Sequence, residues 1–301
     1  MNKYLISIVG PTAIGKTGLS LKLAQHFNTE IISADSRQFF KEMQIGTAAP
    51  TPSELSAAKH HFIHHKSIMD DYNVGTFEKE VLQKLEELFK KYNIILLVGG
   101  SGLYVDAVTK GLDYFPDIDP SIREKLNNTL KDEGLEKLQK KLKDLDIKAY
   151  NTLELSNPHR VIRALEICIG TNKPYSSFLN KNKQSRNFKT ITIGIKAERE
   201  IIYNRINNRV DIMVENGLVE EVRKLLPFQN FNALNTVGYK EIFMFLNGNW
   251  RLDFAISEIK KNTRRFAKRQ LTWFNKNKDC IWFDYNTSTD AVLQAINSKI
   301  N

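Results

Sequence analysis

The sequence contains very little cysteine: Cys168 and Cys280 are the only two among its 301 residues. Two thiols cannot build a disulfide framework or a zinc ribbon, so the classes of small domains that depend on these are excluded. Long apolar runs are also missing, because the longest, such as Ile94 to Val98, are far too short to cross a bilayer. The N-terminal segment lacks the apolar core and cleavage site of a signal peptide. These absences predict a reduced, cytoplasmic protein without a membrane partner.

Negative charge is in short supply as well. The chain has 34 Asp and Glu residues against 44 Lys and Arg, so its formal net charge is +10. A basic surface attracts polyanions such as nucleic acids, but a surface that only maintains solubility can carry the same net charge. The position of the basic residues therefore has to decide between these two interpretations.

One segment concentrates the basic residues. Every charged side chain between positions 260 and 269 is basic. The residues are Lys260, Lys261, Arg264, Arg265, Lys268 and Arg269. A solvated helix face normally mixes both signs, whereas a stripe of one sign is repulsive unless a polyanion meets it. This basic stripe favours contact with a nucleic-acid backbone.

Short apolar runs alternate with segments of helical spacing. The predicted strands are Tyr4 to Val9, Glu30 to Ser33, Ile94 to Val98, 190–195 and 281–283. The segment from Lys16 to Phe27 has apolar residues at helical spacing and predicts a helix between the first two strands. Repeats of strand, helix and strand imply a parallel sheet with right-handed crossovers. The sequence therefore predicts an α/β fold.

Residues 117–188 differ from the rest of the chain. They are rich in Lys, Leu, Glu and Asp, and strand-like runs are missing there. Helical patterns lie near 121–132, 134–145 and 158–169. We therefore expect an inserted all-helical subdomain at 117–188, within a core formed by 1–116 and 189–301. The core is expected to end with basic helices.

A phosphate-binding motif follows the first predicted strand. The segment reads Gly10-Pro11-Thr12-Ala13-Ile14-Gly15-Lys16-Thr17. It matches G-x-x-x-x-G-K-[ST] in full and lies between a strand and a helix, where its mechanism requires it. The glycines let backbone N–H groups turn towards phosphate oxygens, Lys16 adds a positive charge, and Thr17 can bind Mg²⁺. The motif predicts a phosphate site in a P-loop NTPase-like parallel sheet flanked by helices.

The usual acidic partner of such a loop is missing. In ATPases and GTPases a later apolar strand ends in an Asp that positions the metal. Here the strand Ile94 to Val98 is followed by glycines, and the next carboxylate is Asp106. This pattern disfavours an ATPase and favours a site that holds and releases a diphosphate. Asp35 lies just after the second strand, at the sheet edge where α/β active sites form, although an Asp-Ser pair also commonly caps a turn.

Several segments together resemble the tRNA dimethylallyltransferase (isopentenyltransferase) family. Beside the P-loop they are Ser33 to Gln38, Gly46 to Ala48, Leu97 to Tyr104, Asn157 to Glu166, Val237 to Glu241 and Thr263 to Phe274. Their order and spacing hold from end to end, so the resemblance covers essentially the whole chain. The sequence ends soon after its last predicted strand, without the C-terminal zinc finger of eukaryotic members, which favours the bacterial type.

The resemblance implies a reaction. Dimethylallyl diphosphate and adenosine 37 of tRNA would give N6-isopentenyladenosine and diphosphate, with Mg²⁺ as the cofactor. It implies that Asp35 accepts a proton from the adenine amine, while Lys16, the loop amides and Mg²⁺ at Thr17 stabilise the departing diphosphate. Ser101 corresponds to a residue near the diphosphate or the amine, and Arg209 resembles an arginine that contacts the diphosphate.

The resemblance also implies contacts with the anticodon loop of tRNA, whose target adenine must leave its stack before its amine can react. The residues implied are Asp35, Ser36, Arg37, Gln38, Ser101, Arg123, His159, Arg160, Val161, Ile162, Arg163, Gly238, Tyr239 and Lys240. Arg264, Arg265 and Lys268 of the basic stripe are added by their charge. Such a mixture suits a single-stranded loop that is read by stacking and base-edge hydrogen bonds. The protein is expected to act as a monomer.

Other functions remain open. A P-loop small-molecule kinase shares the fold and Lys16, but it needs a clamp for a γ-phosphate and has no use for the basic stripe. An adenylate isopentenyltransferase prenylates free nucleotides, whereas Arg123 and the block at 159–163 argue for a tRNA substrate. A non-enzymatic RNA-binding protein does not need the intact P-loop or Asp35.

Four histidines lie close together at His60, His61, His64 and His65. Pairs that are four residues apart can share a helix face and bind a metal. No H-E-x-x-H arrangement and no cysteine accompanies them, so we expect a packed or exposed structural role.

Overall fold

A six-stranded sheet forms the centre of the computed structural model, which describes residues 2–179 and 185–300. The strands are β1 (Tyr4–Val9), β2 (Ile31–Ser33), β3 (His60–His61), β4 (Ile94–Val98), β5 (Lys189–Lys196) and β6 (Ile281–Asp284). Their order across the sheet is β3-β2-β4-β1-β5-β6, and every neighbouring pair is parallel. The predicted P-loop NTPase-like sheet flanked by helices is confirmed.

Helices make up most of the remaining chain. They are α1 (Lys16–Phe27), α2 (Pro52–Ala57), α3 (Val74–Leu88), α4 (Gly102–Lys110), α5 (Pro120–Glu133), α6 (Leu135–Leu145), α7 (Ile147–Thr152), α8 (Pro158–Thr171), α9 (Arg199–Glu215), α10 (Leu218–Lys224), α11 (Tyr239–Leu246), α12 (Leu252–Phe274) and α13 (Thr289–Ile300). Short 3₁₀ turns lie at Tyr175–Ser177, Leu226–Phe228 and Asn232–Leu234. In the described ranges, no helix has both the length and the apolar character that a membrane span needs.

The sheet has a hydrophobic core on each face. Every residue of β1 is buried, and successive side chains of a strand point to opposite faces. Leu5 lies in one cluster with Phe77 of α3, while Ile6 lies in the other with Leu23 of α1 and Ile202 of α9. Because all strands run the same way, the carboxyl ends of β1, β2 and β4 meet at one edge. The loops that follow these three strands build the candidate site.

The chain divides into two compact units: Met1–Thr109 with Arg186–Asn301, and Lys110–Ser185. The predicted helical insertion was 117–188, and its residues 180–184 lie outside the described ranges. Phe115 stacks on Tyr175 within the second unit, with ring centroids 5.2 Å apart. Arg186 belongs to the first unit, because its guanidinium binds Glu78 and the carbonyl of Val108, the latter at 2.9 Å. The helical unit of this division runs from Lys110 to Ser185, where the prediction had 117–188.

The second unit is a helical bundle with its own core. Leu126 of α5, Leu142 of α6 and Leu165 of α8 are buried together. Asp119 and Asn157 cap the first turns of α5 and α8, each with proline at the next position. A capping side chain followed by proline is a strong helix start signal, and the sequence placed both starts within a residue.

Candidate active site

The P-loop connects β1 to α1 in a conformation that needs glycine. Gly10 has a φ of 147° and Gly15 a φ of 106°. A Cβ at Gly10 would lie 2.5 Å from the carbonyl oxygen of Ile195, so no side chain fits there. Arg205 of α9 donates from Nε to the carbonyl of Ala13 at 2.7 Å and holds the loop from the other side. The loop and the first turn of α1 line a cavity of about 550 Å³, as a phosphate site requires.

Lys16 and Thr17 both line this cavity. The Nζ of Lys16 donates to the carbonyls of Gly10 at 3.0 Å and Pro11 at 2.7 Å. Burial lowers the pKa of Lys16 to about 8. The charge of Arg209 contributes a smaller lowering of this pKa, and the Asp35 carboxylate acts in the opposite direction. Lys16 is therefore charged at neutral pH, but it loses its proton more readily than a surface lysine. An anionic ligand in the cavity would strengthen that charge.

Asp35 lies two residues after β2, at the same edge of the sheet. Its Oδ1 accepts the backbone N–H of Arg37 at 3.1 Å. Burial raises the pKa of Asp35, and the Arg37 N–H together with the charges of Lys16 and Arg37 works against this shift. A carboxylate with a raised pKa is a stronger base at neutral pH. The predicted catalytic carboxylate thus has the surroundings of a general base.

A second cavity of about 640 Å³ adjoins the first. Ser36, Ser101, Lys240 and Arg269 line it, together with the carboxyl-terminal half of α12. Residues that line both cavities are Thr12, Asp35, Thr47, Ala48, Arg209, Met213, Phe266 and Gln270. Asp35 therefore faces both the chamber that Lys16 and most of the P-loop line and a second chamber that the P-loop reaches only at Thr12. Two substrates can approach this carboxylate from separate sides.

Glycines after β4 allow a close approach of neighbouring chains. A Cβ at Gly99 would lie 2.3 Å from the carbonyl oxygen of Ala34, and one at Gly102 would lie 2.3 Å from the ring of Trp273. Ser101 accepts the N–H of Ser36 at 3.0 Å and donates to its hydroxyl at 3.1 Å. The loop after β4 thus holds the segment that carries Asp35. An acidic residue at position 99, as in ATPases, would not fit here.

Arg209 of α9 lines both cavities, as expected for an arginine that contacts a diphosphate. Burial and the neighbouring Arg205 lower its pKa, while Glu54 and Asp35 oppose this. Arg205 has a different role, since its guanidinium is bound to the P-loop. The contact between Arg209 and the diphosphate stays a prediction.

Arg37 and Gln38 bind backbone in the structure. Arg37 donates from Nη1 to the carbonyl of Ala233 at 2.9 Å, and Gln38 donates from Nε2 to the carbonyl of Ala48 at 3.1 Å. Both side chains also line the cavities. They hold the walls of the two chambers, so a contact with tRNA would use the parts of these side chains that face the cavity.

The loop at 44–46 is held by a carboxylate that the sequence did not single out. Glu221 of α10 accepts the N–H groups of Gln44 at 3.1 Å, Ile45 at 2.7 Å and Gly46 at 3.0 Å. The hydroxyl of Tyr239 donates to the same carboxylate at 2.6 Å. In the sequence, Glu221 looks like an ordinary surface residue of a charged helix, and no local signal marks it.

Three predicted tRNA contacts need correction. Tyr239 is fully buried, and its hydroxyl is bound to Glu221, so it positions a loop and cannot touch RNA directly. Val161 and Ile162 are buried in the core of the helical unit. The resemblance identified the blocks that contain these residues, but it did not show which side chains in each block face outward. Gly238, whose φ is 96°, and the exposed Lys240 do line the second cavity.

Several basic side chains of the helical unit are exposed or partly exposed. His159 and Arg160 are exposed near the start of α8, and Arg160 pairs with Glu154 at 3.6 Å. Arg123 and Arg163 both bind the buried carboxylate of Glu166, at 2.7 Å and 2.8 Å, with about half or less of each side chain exposed. Parts of the Arg123 and Arg163 side chains stay exposed beside this ion pair, as a contact with RNA phosphate requires.

The basic stripe of α12 divides into two sets. Lys260 pairs with Asp211 at 2.6 Å, Lys261 pairs with Glu258, and Arg264 donates to Asn207 at 2.7 Å. Arg265, Lys268 and Arg269 are exposed. Arg269 lines the second cavity, and Arg265 and Lys268 line a groove with residues of α9. The cations that remain open to a polyanion are thus fewer than the sequence pattern indicated.

The histidine cluster lies beside the sheet edge and packs there. His60 and His61 form β3, and Nε2 of His61 lies 2.5 Å from a carboxylate oxygen of Glu30. His65 makes edge-to-face contacts with Phe39 and Tyr72, and burial lowers its pKa to about 4. These contacts give His61 and His65 a structural role, whereas His60 also lines the first cavity.

A divalent metal fits the P-loop through oxygen ligands. Thr17 lines the first cavity at the start of α1, where its hydroxyl supplies a hard oxygen donor. Mg²⁺ usually takes few ligands from the protein and several from substrate phosphates and water. Among the described residues there is no group of three or more His, Cys, Asp and Glu side chains that could hold a metal ion. The site thus suits a metal that arrives with a diphosphate.

Comparisons with known proteins agree with this geometry. The family model described as IPP transferase matches residues 38–277. The tRNA dimethylallyltransferase of Christiangramia forsetii is 62% identical over 301 residues and covers all of both chains. That of Flavobacterium psychrophilum is 57% identical, with 99% of each chain covered.

Two solved structures are similar over nearly the whole chain. The tRNA isopentenylpyrophosphate transferase of Bacillus halodurans has a TM-score of 0.73 and 37% identity, covering 99% of this chain and 96% of the other. A eukaryotic dimethylallyltransferase acting on tRNA has a TM-score of 0.84 and 25% identity, covering 99% of this chain and 80% of the other.

Proposed function

The chain belongs to the IPP transferase family, and on that premise we propose that it transfers a dimethylallyl group from dimethylallyl diphosphate to N6 of adenosine 37 in the tRNA anticodon loop. Prenylation of tRNA is the activity of its full-length relatives, and this enzyme shares it. One observation supports the detailed reaction: Asp35 faces both the P-loop chamber and the adjoining one. Asp35 can therefore accept a proton from an amine in the second chamber while the diphosphate is bound in the P-loop chamber.

In the proposed step, the amine nitrogen attacks C1 of the dimethylallyl group and the bond between C1 and the diphosphate oxygen breaks. The electron pair of that bond leaves with the diphosphate, and the proton of the amine passes to Asp35. An aromatic amine is a weak nucleophile, so removal of the proton as the new bond forms lowers the barrier. The raised pKa of Asp35 makes it a stronger base for this transfer.

The departing diphosphate gains negative charge as the bond breaks. Lys16, Arg209 and the amides at the start of α1 line the chamber where that charge develops. Positive groups that are fixed in place before the reaction stabilise such charge without reorganisation. Mg²⁺ bound at Thr17 with the diphosphate would neutralise part of the same charge.

Two rival functions are less favoured. A small-molecule kinase does not explain the cations on α8 and α12, and the relatives are named for transfer to tRNA. An adenylate isopentenyltransferase does not need the helical unit. We further propose that the enzyme works in the cytoplasm and acts as a monomer.

One assay tests the proposed function. Purified protein, dimethylallyl diphosphate and Mg²⁺ are incubated with unmodified tRNA or with AMP, and nucleosides are identified by mass spectrometry. We expect isopentenyladenosine in tRNA, at position 37 in the anticodon loop. Transfer to AMP without transfer to tRNA would contradict the proposal, and tRNA in which adenosine 37 is replaced should remain unmodified.

A second prediction concerns the basic residues of α12. Replacing both Arg265 and Lys268 by Gln should weaken tRNA binding, because both are exposed cations on one groove. Each lost phosphate contact should reduce the slope of log affinity against log salt by about 1. The double variant Lys224→Gln with Arg251→Gln loses the same charge outside the stripe and serves as control. Equal slopes for the two double variants would show that the stripe faces solvent.

A further inference from the structure

Gln270 of α12 joins two loops of the active site. The residue is buried, with 5% of its surface exposed. Its Oε1 accepts the backbone N–H of Thr12 at 2.8 Å, and its Nε2 donates to the carbonyl of Gly100 at 2.9 Å. Because an N–H only donates and a carbonyl only accepts, these partners determine which end of the side-chain amide is oxygen. One side chain thus bridges the P-loop and the loop after β4.

The bridge leaves no space around Gly100. A Cβ at this position would lie 2.2 Å from Nε2 of Gln270. Gly99 is required for the approach of Ala34, and Gly100 is required for the approach of Gln270. The glycine pair that stands where an ATPase has an acidic residue is therefore explained by two different close contacts.

One of the two bridged loops belongs to the proposed diphosphate site, and the other contacts the segment that carries the proposed base. Thr12 belongs to the loop that holds Lys16 and the diphosphate chamber. Gly100 precedes Ser101, whose hydroxyl binds Ser36 next to Asp35. Gln270 itself lines both chambers. A short path of hydrogen bonds therefore connects the leaving-group side of the site to the base.

We propose that Gln270 is a positioning residue that keeps the P-loop and the Asp35 segment at a fixed separation during prenyl transfer. The inference rests on the proposed function, because it concerns the geometry of that reaction. The attacking amine and the departing diphosphate must lie on opposite sides of C1, and a displacement of about 1 Å can lower a rate by about 10²-fold. Gln270 exchanges no proton with the substrates, and it acts through the two loops that it holds.

The variant Gln270→Met tests this role, since methionine has a similar length but cannot make either hydrogen bond. We expect the single-turnover rate of transfer to tRNA to fall by about 10²-fold, with the Kd for tRNA unchanged. Single-turnover rates with both substrates saturating, together with fluorescence anisotropy of labelled tRNA, measure the two quantities. Phe274→Leu is the matched control, because Phe274 is buried in the same helix but packs in the core. If Gln270→Met and Phe274→Leu have the same thermal stability and lose the same fraction of the transfer rate, the proposal is overturned.

The variant Gln270→Glu gives a second readout through pH. A protonated carboxyl keeps both hydrogen bonds, because its carbonyl oxygen accepts from Thr12 and its O–H donates to Gly100. The ionised form can only accept, and it faces the carbonyl of Gly100. The rate of this variant relative to the wild type should therefore rise as pH is lowered, whereas the same ratio for Phe274→Leu should stay flat.

The outcomes separate this proposal from the proposed function. A wild-type enzyme that forms no isopentenyladenosine in tRNA would overturn both. An active wild type with an equally active Gln270→Met variant, or a Gln270→Glu ratio that does not change with pH, would overturn only the role of Gln270. A loss confined to tRNA affinity would do the same, because a positioning residue affects the rate of the chemical step.

Discussion

Replacing Asp35 by Asn should lower the rate of prenyl transfer by about 10²–10⁴-fold, the usual contribution of a general base. Asparagine keeps the shape of the side chain, and its oxygen can still accept the N–H of Arg37. The affinity for tRNA should change little, because most of the proposed RNA contacts lie elsewhere. Single-turnover transfer and equilibrium tRNA binding measure the two effects separately.

The control for Asp35 is its neighbour Ser36. The variant Ser36→Ala removes a hydroxyl that binds Ser101 but leaves the carboxylate in place. It should lose far less activity than Asp35→Asn. A fully active Asp35→Asn enzyme would remove Asp35 as the base, and a folded but inactive variant that no longer binds tRNA would give it a binding role instead.

Replacing Lys16 by Met should lower kcat/KM for dimethylallyl diphosphate by about 10²–10³-fold, which is typical for the loss of one preorganised charge that stabilises a developing anion. Methionine retains the apolar part of the side chain, but it cannot donate to the carbonyls of Gly10 and Pro11. Lys22→Met on the same helix removes an exposed lysine outside the two chambers and serves as control. Unchanged kinetics in Lys16→Met would contradict the proposed diphosphate site.

Enzyme activity should depend in opposite ways on the protonation of Lys16 and of Asp35. Lys16 must be protonated to stabilise the diphosphate, so kcat/KM should fall as pH rises through its pKa of about 8 in the free enzyme. Asp35 must be ionised to act as a base, so activity should fall as pH drops through its raised pKa. Lys16→Met should lack the fall at high pH, and Asp35→Asn should lack the fall at low pH.

Local patterns predicted the fold well. β1 and α1 begin and end at the predicted residues, because an apolar run, a glycine loop and an amphipathic segment each leave a clear signal. β3 was missed, since a strand of two residues has no periodicity and exists only because His60 pairs with Ile31. α11 was missed because its eight residues are mostly apolar and too few to show a clear helical period, and burial of Tyr239, Ile242 and Phe243 by tertiary contacts stabilises it.

The candidate site was predicted only where its residues are close in sequence or belong to known motifs. Lys16 could be assigned from the P-loop motif that connects β1 to α1, and Asp35 from its position two residues after β2 at the carboxyl edge of the sheet. Gln270 could not be assigned from the sequence, because its partner Thr12 is 258 residues away. The basic residues around Gln270 also direct attention to charge and away from this neutral side chain. Glu221 was missed for the same reason, since its role depends on a loop that is 175 residues distant.

Gly99 limits which chemistry this fold can support. In P-loop hydrolases, the acidic residue after the corresponding strand helps to hold the Mg²⁺ ion. Here any side chain at position 99 would meet the carbonyl of Ala34, which immediately precedes Asp35. An acidic residue introduced at position 99 would therefore displace the segment that carries Asp35. A metal-binding carboxylate at this position and a correctly placed base after β2 thus make incompatible steric demands on the same backbone.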